Sequence, residues 1–208
     1  MFNLLRSLSR MERAIRKSLD DASRAIEELK SEHGVAFILD VSTALARCYD
    51  RGGKLIVAGN GGSLCDAAHF AEELTGFFRK KRRPLAAICL SEPGHITCVA
   101  NDSGFEDVFV RSVEALGKRE DLFVALTTSG NSENLLRALE KAKEMGLTTV
   151  AFLGKGGGKM KGLADYELII DGFTYSDRIQ EAHMAAIHIL IEMVEAHLDV
   201  YKEELVST

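Results

Sequence analysis

The sequence predicts an α/β protein: a doubly wound, five-stranded parallel sheet flanked by helices, behind an N-terminal helical extension. Three observations predict it. Short apolar runs recur at residues 55–58, 85–90, 122–126, 148–153 and 166–170, with helical stretches between them, notably 131–145. The runs show little alternation of apolar and polar residues, as strands buried on both faces do. Two of them end in glycine-rich or hydroxyl-rich turns that open a helix, and ligands of such sheets sit beyond the carboxyl ends of the strands.

The extension comes first. Leu5, Leu8, Met11, Ile15, Leu19, Ala22 and Ile26 recur at helical spacing, and Gly34 interrupts before a second pattern through Leu39, Ala44 and Leu45. Arg6, Arg10, Arg13, Arg16 and Lys17 suggest a membrane-surface helix. Acidic residues are interleaved with them, which favours a solvated face or a surface for a partner helix. Gly52 and Gly53 end this region. The 208 residues therefore divide as one domain, 1–208, with helices over 1–51 and an α/β core and C-terminal helix over 52–208.

Composition limits the functions available. Hydrophobic residues make up 46% and charged residues 27%, and the formal charge is -5. That balance gives no electrostatic reason to expect nucleic acid or an anionic membrane, so an anionic ligand has to be held locally. Cys48, Cys65, Cys89 and Cys98 form no CxxC pair, and three lie in apolar or helical runs where a buried free thiol is the commoner state. A reducing compartment without disulfides is expected. The charged N-terminus lacks a signal-peptide core, and 185–194 is too short to span a bilayer, so the expected location is cytoplasmic.

The chemistry concentrates at residues 54–76. The first core strand runs into Gly59-Asn60-Gly61-Gly62-Ser63, and a helical pattern with His69 and Glu73 follows. Glycines let the backbone approach a ligand, and the first N–H groups of the helix are free to donate. His69 and Glu73, four residues apart, lie about 40° apart on one helix face.

A second cradle, Thr127-Thr128-Ser129-Gly130-Asn131-Ser132, follows the third strand. Ser132 with Glu133 makes good capping chemistry, yet a cap needs one hydroxyl and four lie here. Hydroxyls and free N–H groups together hold a phosphate without a lysine. No GxxxxGK[ST] is present, which excludes a P-loop. A third cluster, Gly154 to Lys159, offers another anion site, yet its more economical reading is a flexible turn.

On the last long helix, expected over about 177–204, Gln180 and His188 lie within about 80° of one another. His188 alone, among Ile187, Ile189 and Leu190, reads as a core histidine. His33, His95 and His197 read as structural or surface residues. A His, Glu, Gln, His set suits zinc, although an amide is the weaker ligand, and the same Glu and His suit proton transfer. Spacing alone leaves both open, and it does not bring the two helices together.

At this point GNGGS, HFAEELTG, Asn101-Asp102-Ser103-Gly104-Phe105, TSGNS, the GKGGGKM turn and DRIQEAH resemble the sugar-isomerase (SIS) domain family, in collinear order from about residue 52 to 195. HFAEELTG and DRIQE carry most of the specificity. The resemblance implies an SIS-type, flavodoxin-like fold. It implies an aldose–ketose isomerase that converts sedoheptulose 7-phosphate to D-glycero-D-manno-heptose 7-phosphate, a first step towards activated heptoses for bacterial surface polysaccharide. It also implies a homotetramer with active sites between subunits and one zinc ion per subunit.

By position, the metal ligands would be His69, Glu73, Gln180 and His188, with Glu73 and His188 as the catalytic pair. Thr127, Thr128, Ser129 and Ser132, helped by Ser63, would cradle the phosphate. Asn60, Gly61, Gly62, Asn101, Asp102 and Gln180, with Glu73, would contact the sugar.

Phe77 stands where many members have Arg, and Thr127 where the family commonly has Ser. Three competing readings accompany this one. A relative of the same fold binds the bacterial replication initiator as an assembly factor, but its pattern lacks the equivalents of Glu73 and His188. The second is an isomerase of another sugar phosphate. The third, a sugar-phosphate sensor, would carry a DNA-binding segment that the sequence does not show.

Overall fold

The computed structural model describes residues 2–198, with side chains from residue 9 onward. Helices α1 (Phe2–Glu27) and α2 (Glu32–Asp50) form the extension. The break between them lies earlier than the glycine suggests. A short 3-10 turn over Glu28–Lys30 ends α1, and Ser31 caps α2 by accepting from Gly34 N–H at 3.1 Å. Gly34 therefore sits inside the first turn of α2, where a side chain would strike the Leu29 backbone. Leu5 and Leu8 belong to the repeat but lie outside the described side chains.

The charged face of α1 is solvated, as its interleaved signs suggest. Arg16 pairs with Glu12 at 2.8 Å and Lys17 with Asp21 at 2.6 Å, both four residues apart. Such exposed pairs are screened by solvent and contribute little to stability.

The core alternates as expected through β1 (Leu55–Gly59), α3 (Gly62–Thr75), β2 (Ala87–Cys89), α4 (Pro93–Asp102), α5 (Val108–Leu116), β3 (Leu122–Thr127), α6 (Glu133–Glu144), β4 (Thr148–Gly154), β5 (Tyr166–Ile170) and α7 (Ser176–Leu198). The continuation of α7 expected to residue 204 lies outside the described residues. Every strand pairing is parallel, in the order β2-β1-β3-β4-β5. Of the apolar run 85–90 only three residues form strand, and β2 lies at the edge of the sheet.

Neighbouring strand residues face opposite sides of the sheet. Leu55, Val57, Leu122, Val124 and Phe152 join one buried cluster with α2, α3 and α7. Ile56, Ala58, Phe123, Ala125 and Leu153 join a second with α5 and α6. Burial of one such large side chain stabilises the fold by about 1.5–3 kcal/mol, which explains the strands' lack of polar alternation.

The strand order fixes where a ligand can sit. After β1 the chain winds outward to β2, then returns to place β3 on the other side of β1. That reversal leaves a crevice at the carboxyl ends of β1 and β3, and both loops singled out in the sequence meet there. At the opposite end of the same two strands, buried Asp121 accepts from the Lys54 and Lys118 backbone N–H groups and pairs with the Lys54 ammonium. Among the described residues no helix is long and apolar enough to cross a membrane.

Candidate active site

The crevice is an open cavity of about 210 Å³ lined by Leu126 and by eight polar residues, Asn60, Ser63, Thr127, Thr128, Ser129, Ser132, Ser176 and Gln180. Seven of these eight polar residues were named from sequence, drawn from three separate segments. Ser132 occupies the N-cap position of α6, yet its side chain makes no cap hydrogen bond and instead lies 3.4 Å from Thr127 Oγ1. The capping role is therefore not what this hydroxyl performs. Thr127 Oγ1 accepts from Gly130 N–H at 3.2 Å, and Thr128 donates to Ser176 Oγ at 2.9 Å. The result is a ring of hydroxyls at the N-termini of α3, α6 and α7, where unpaired N–H groups and helix dipoles favour an anion.

The glycine turn after β4 is part of this construction rather than a loose connection. Gly130 has φ 64°, and a Cβ there would lie 1.8 Å from the Gly157 carbonyl oxygen. Met160 N–H donates to Gly130 O, and Lys159 N–H donates to Asn131 Oδ1 at 3.1 Å. The expectation of a flexible turn is corrected: the turn packs against the hydroxyl loop, and Gly157 is buried.

From the crevice, α3 and α7 run side by side and carry the remaining residues. Gln180 lies over Gly62, which has no side chain to block it, and its amide donates to Ser63 Oγ at 3.4 Å. Further along, one oxygen of Glu73 lies 3.1 Å from His69 Nε2, and the other lies 3.6 Å from His188 Nε2. The two imidazole rings meet edge to face with centroids 5.2 Å apart. Tertiary packing thus joins the two helices that spacing alone left separate, and His188 is not a core residue.

Ligand atoms of His69, Glu73 and His188 all lie within 4.8 Å of one another, a group able to hold a metal ion. The Glu73 oxygen facing His188 is buried without a hydrogen-bond partner among the described residues. A buried carboxylate oxygen left unpaired is costly unless a cation or a proton donor completes it. Two imidazoles and this carboxylate are a donor set that suits zinc.

Not every expected residue joins the cavity. Asn101 and Asp102 end α4, where both are exposed and hydrogen-bond each other at 2.8 Å; neither lines the crevice. Gly61 and Gly62 lie at its edge, opening α3.

Other residues were missed. Ser176 was hidden because it is one hydroxyl at the start of a long helix. Asn134, in the first turn of α6, is 3% exposed and pairs with Asn60. Asp66 precedes His69 by one turn, and burial pushes its carboxyl up to about 6 while His69 offsets part of that rise. Buried His183, between Gln180 and His188, donates from Nε2 to Leu153 O at 3.0 Å and serves packing. His95 is likewise structural, joining α4 to Val108 O and Ser112 of α5. Of the cysteines, all free, only Cys48 is buried; Cys65 and Cys98 are exposed, on helix faces turned to solvent.

Residues 18–154 match the family model described as SIS domain. A protein of Fusobacterium nucleatum named phosphoheptose isomerase is 57% identical over 155 residues, covering 74% of this chain and 79% of that one. One of Vibrio parahaemolyticus with the same name is 47% identical over 186 residues, covering 89% of this chain and 97% of that one. The solved structure of a phosphoheptose isomerase from Francisella tularensis is similar with a TM-score of 0.83 at 32% identity, covering 91% of this chain and 98% of that one.

Proposed function

The chain belongs to the SIS domain family, and from that premise we propose the chemistry of its site. It is an aldose–ketose isomerase that converts sedoheptulose 7-phosphate to D-glycero-D-manno-heptose 7-phosphate, the entry to activated heptoses. One observation carries the residue assignments. α3 holds Ser63 at the hydroxyl cradle and, about 15 Å further along its axis, Glu73 facing His188. A phosphate held at one end presents the far end of an extended sugar to the carboxylate. Remote binding of this kind orients the reacting carbons and lowers the barrier.

In the proposed mechanism, Thr127, Thr128, Ser129, Ser132 and Ser63 bind the phosphate. Asn60, Gly61, Gly62 and Gln180 contact the sugar, and Asn101 and Asp102 are kept as sugar contacts in the assembled protein. Glu73 removes a proton from C1 of the ketose. His188 delivers a proton to the carbonyl oxygen on C2, giving the enediol. His188 then takes the proton from the C1 hydroxyl as Glu73 returns its proton to C2, which leaves the aldose. Atoms and charge balance without an external acid or oxidant.

His69, Glu73 and His188, with Gln180 as fourth candidate, would hold one zinc ion per subunit. When bound it would supply a Lewis acid for the carbonyl and for the negative charge that develops there. The orphaned Glu73 oxygen supports this part of the proposal.

A homotetramer belongs to the same reading. The α1 stripe Met11, Ile15 and Leu19 is about 60% exposed (59%, 59% and 63%), and beside it Ile26, Val35, Leu39 and Ile189 line an apolar groove. Exposed apolar surface of this kind suits copies of the same chain. A cytoplasmic location is proposed with it, in keeping with four free thiols and a metabolite phosphate as substrate.

The test is turnover of sedoheptulose 7-phosphate by the purified protein, followed by NMR, with and without chelator and added zinc. Formation of the manno-heptose 7-phosphate supports the reaction, and its loss with chelator supports a catalytic metal. No turnover with zinc present overturns the substrate assignment.

A further inference from the structure

The run Arg79-Lys80-Lys81-Arg82-Arg83 between α3 and β2 has the look of solvated surface charge. Arg82 breaks that pattern, because its side chain is 0% exposed. Its Nη2 donates to Glu73 O at 2.8 Å. Its Nη1 donates to Leu74 O at 3.0 Å and Gly76 O at 3.1 Å. The last carbonyls of a helix have no partner within it and carry the negative end of its dipole, so a guanidinium there answers both needs. The helix end that it completes is the turn that carries Glu73.

The remaining donor, Arg82 Nε, pairs with Glu195, which is 3% exposed on α7. Glu195 lies seven residues after His188, which puts the two on one face of α7 within about 20° and about 10 Å of axial rise. Arg82 thus touches the backbone of Glu73 with one edge and the helix of His188 with the other. The same segment adds a second contact, since the Phe78 ring stacks on His188 with centroids 5.7 Å apart.

We infer that Arg82 is a positioning residue of the site: paired with Glu195, it fixes the last turn of α3 against α7 and sets how Glu73 faces His188. It touches no reacting atom. Its role rests on the proposed isomerase reading, in which Glu73 and His188 act together on adjacent carbons.

The obvious variant, Arg82→Met, removes the buried guanidinium that faces Glu195, and breaking a buried ion pair from one side is strongly destabilising. The double variant Arg82→Met/Glu195→Met removes both charges, a replacement that buried pairs commonly tolerate. In the folded double variant kcat for sedoheptulose 7-phosphate is expected to fall by about 100-fold, the scale that a displacement of about 1 Å brings. KM stays within about twofold, because the hydroxyl cradle lies at the other end of α3. Arg82→Lys, which keeps the charge but not the planar fork, recovers only part of the loss.

A second readout needs no turnover: the imidazole resonances of His188, assigned with His188→Gln, shift in the double variant while the Gly130 amide does not. A double variant with wild-type fold, wild-type kcat and unmoved His188 resonances overturns the inference. A wild-type protein inactive on this sugar overturns the substrate assignment instead, and the His188 signal still decides the role of Arg82.

Discussion

Asn60 and Asn134 exchange a reciprocal pair of amide hydrogen bonds, 2.9 Å from Asn60 Nδ2 to Asn134 Oδ1 and 3.0 Å in return. The pair ties the loop after β1 to the first turn of α6, and so holds the glycine side of the crevice against its hydroxyl side. Asn134→Asp removes the donor and places a negative charge beside the cradle. We expect KM for the sugar phosphate to rise at least tenfold with a smaller change in kcat. Steady-state kinetics check it, and an unchanged KM would mean that the tie does not shape the cradle.

Glu73→Gln keeps the shape of the side chain and removes its basicity. Turnover should drop below about one thousandth of wild type, within the range for losing a general base, while binding of the product sugar phosphate persists. Calorimetric titration of the variant with product separates the two effects. Wild-type-like activity would remove Glu73 from the role of base.

Ser132→Ala distinguishes a cap from a ligand group. Loss of a working N-cap costs about 1 kcal/mol, but the Ser132 side chain makes no cap bond. Its removal should leave the denaturation midpoint nearly unchanged and raise KM severalfold. A marked loss of stability with unchanged KM would restore the capping role.

His183 makes folding pH-dependent. Burial holds its imidazole down at about 4, against an ordinary value of 6.5, and Leu153 O partly opposes the shift. Between those values the unfolded chain binds the extra proton and the folded chain does not, so stability falls as pH drops from about 6.5 towards 4. The contribution is roughly 3 kcal/mol. His183→Leu should flatten that part of the stability profile, though it is less stable near pH 7 because Leu153 O loses its donor. Urea denaturation across this window checks the slope, and an equal slope in both proteins would assign it elsewhere.

Removal of metal tests the triplet directly. Dialysis against a chelator should lower activity of the wild-type protein, and zinc should restore it. His69→Ala should fail to retain one zinc per subunit by elemental analysis. Full zinc retention in that variant would move the site away from His69.

The parallel sheet, its five strands and the hydroxyl cradle were legible in the sequence because each rests on local pattern. Apolar runs without alternation indicate strands covered on both faces, and clustered Ser and Thr after a strand indicate an anion site. The resemblance in HFAEELTG and DRIQE likewise identified the family before any coordinates. Residues whose roles come from partners distant in sequence escaped. Asn134 matters through Asn60, 74 positions away, and Arg82 through Glu195, 113 positions away, and each looks ordinary among its neighbours. Spacing alone left His188 an apparent core histidine; the resemblance paired it with Glu73, and the packing of α3 on α7 brings the two to 3.6 Å. Sequence periodicity specifies which face of a helix is apolar; which two faces meet depends on the order of the strands between them.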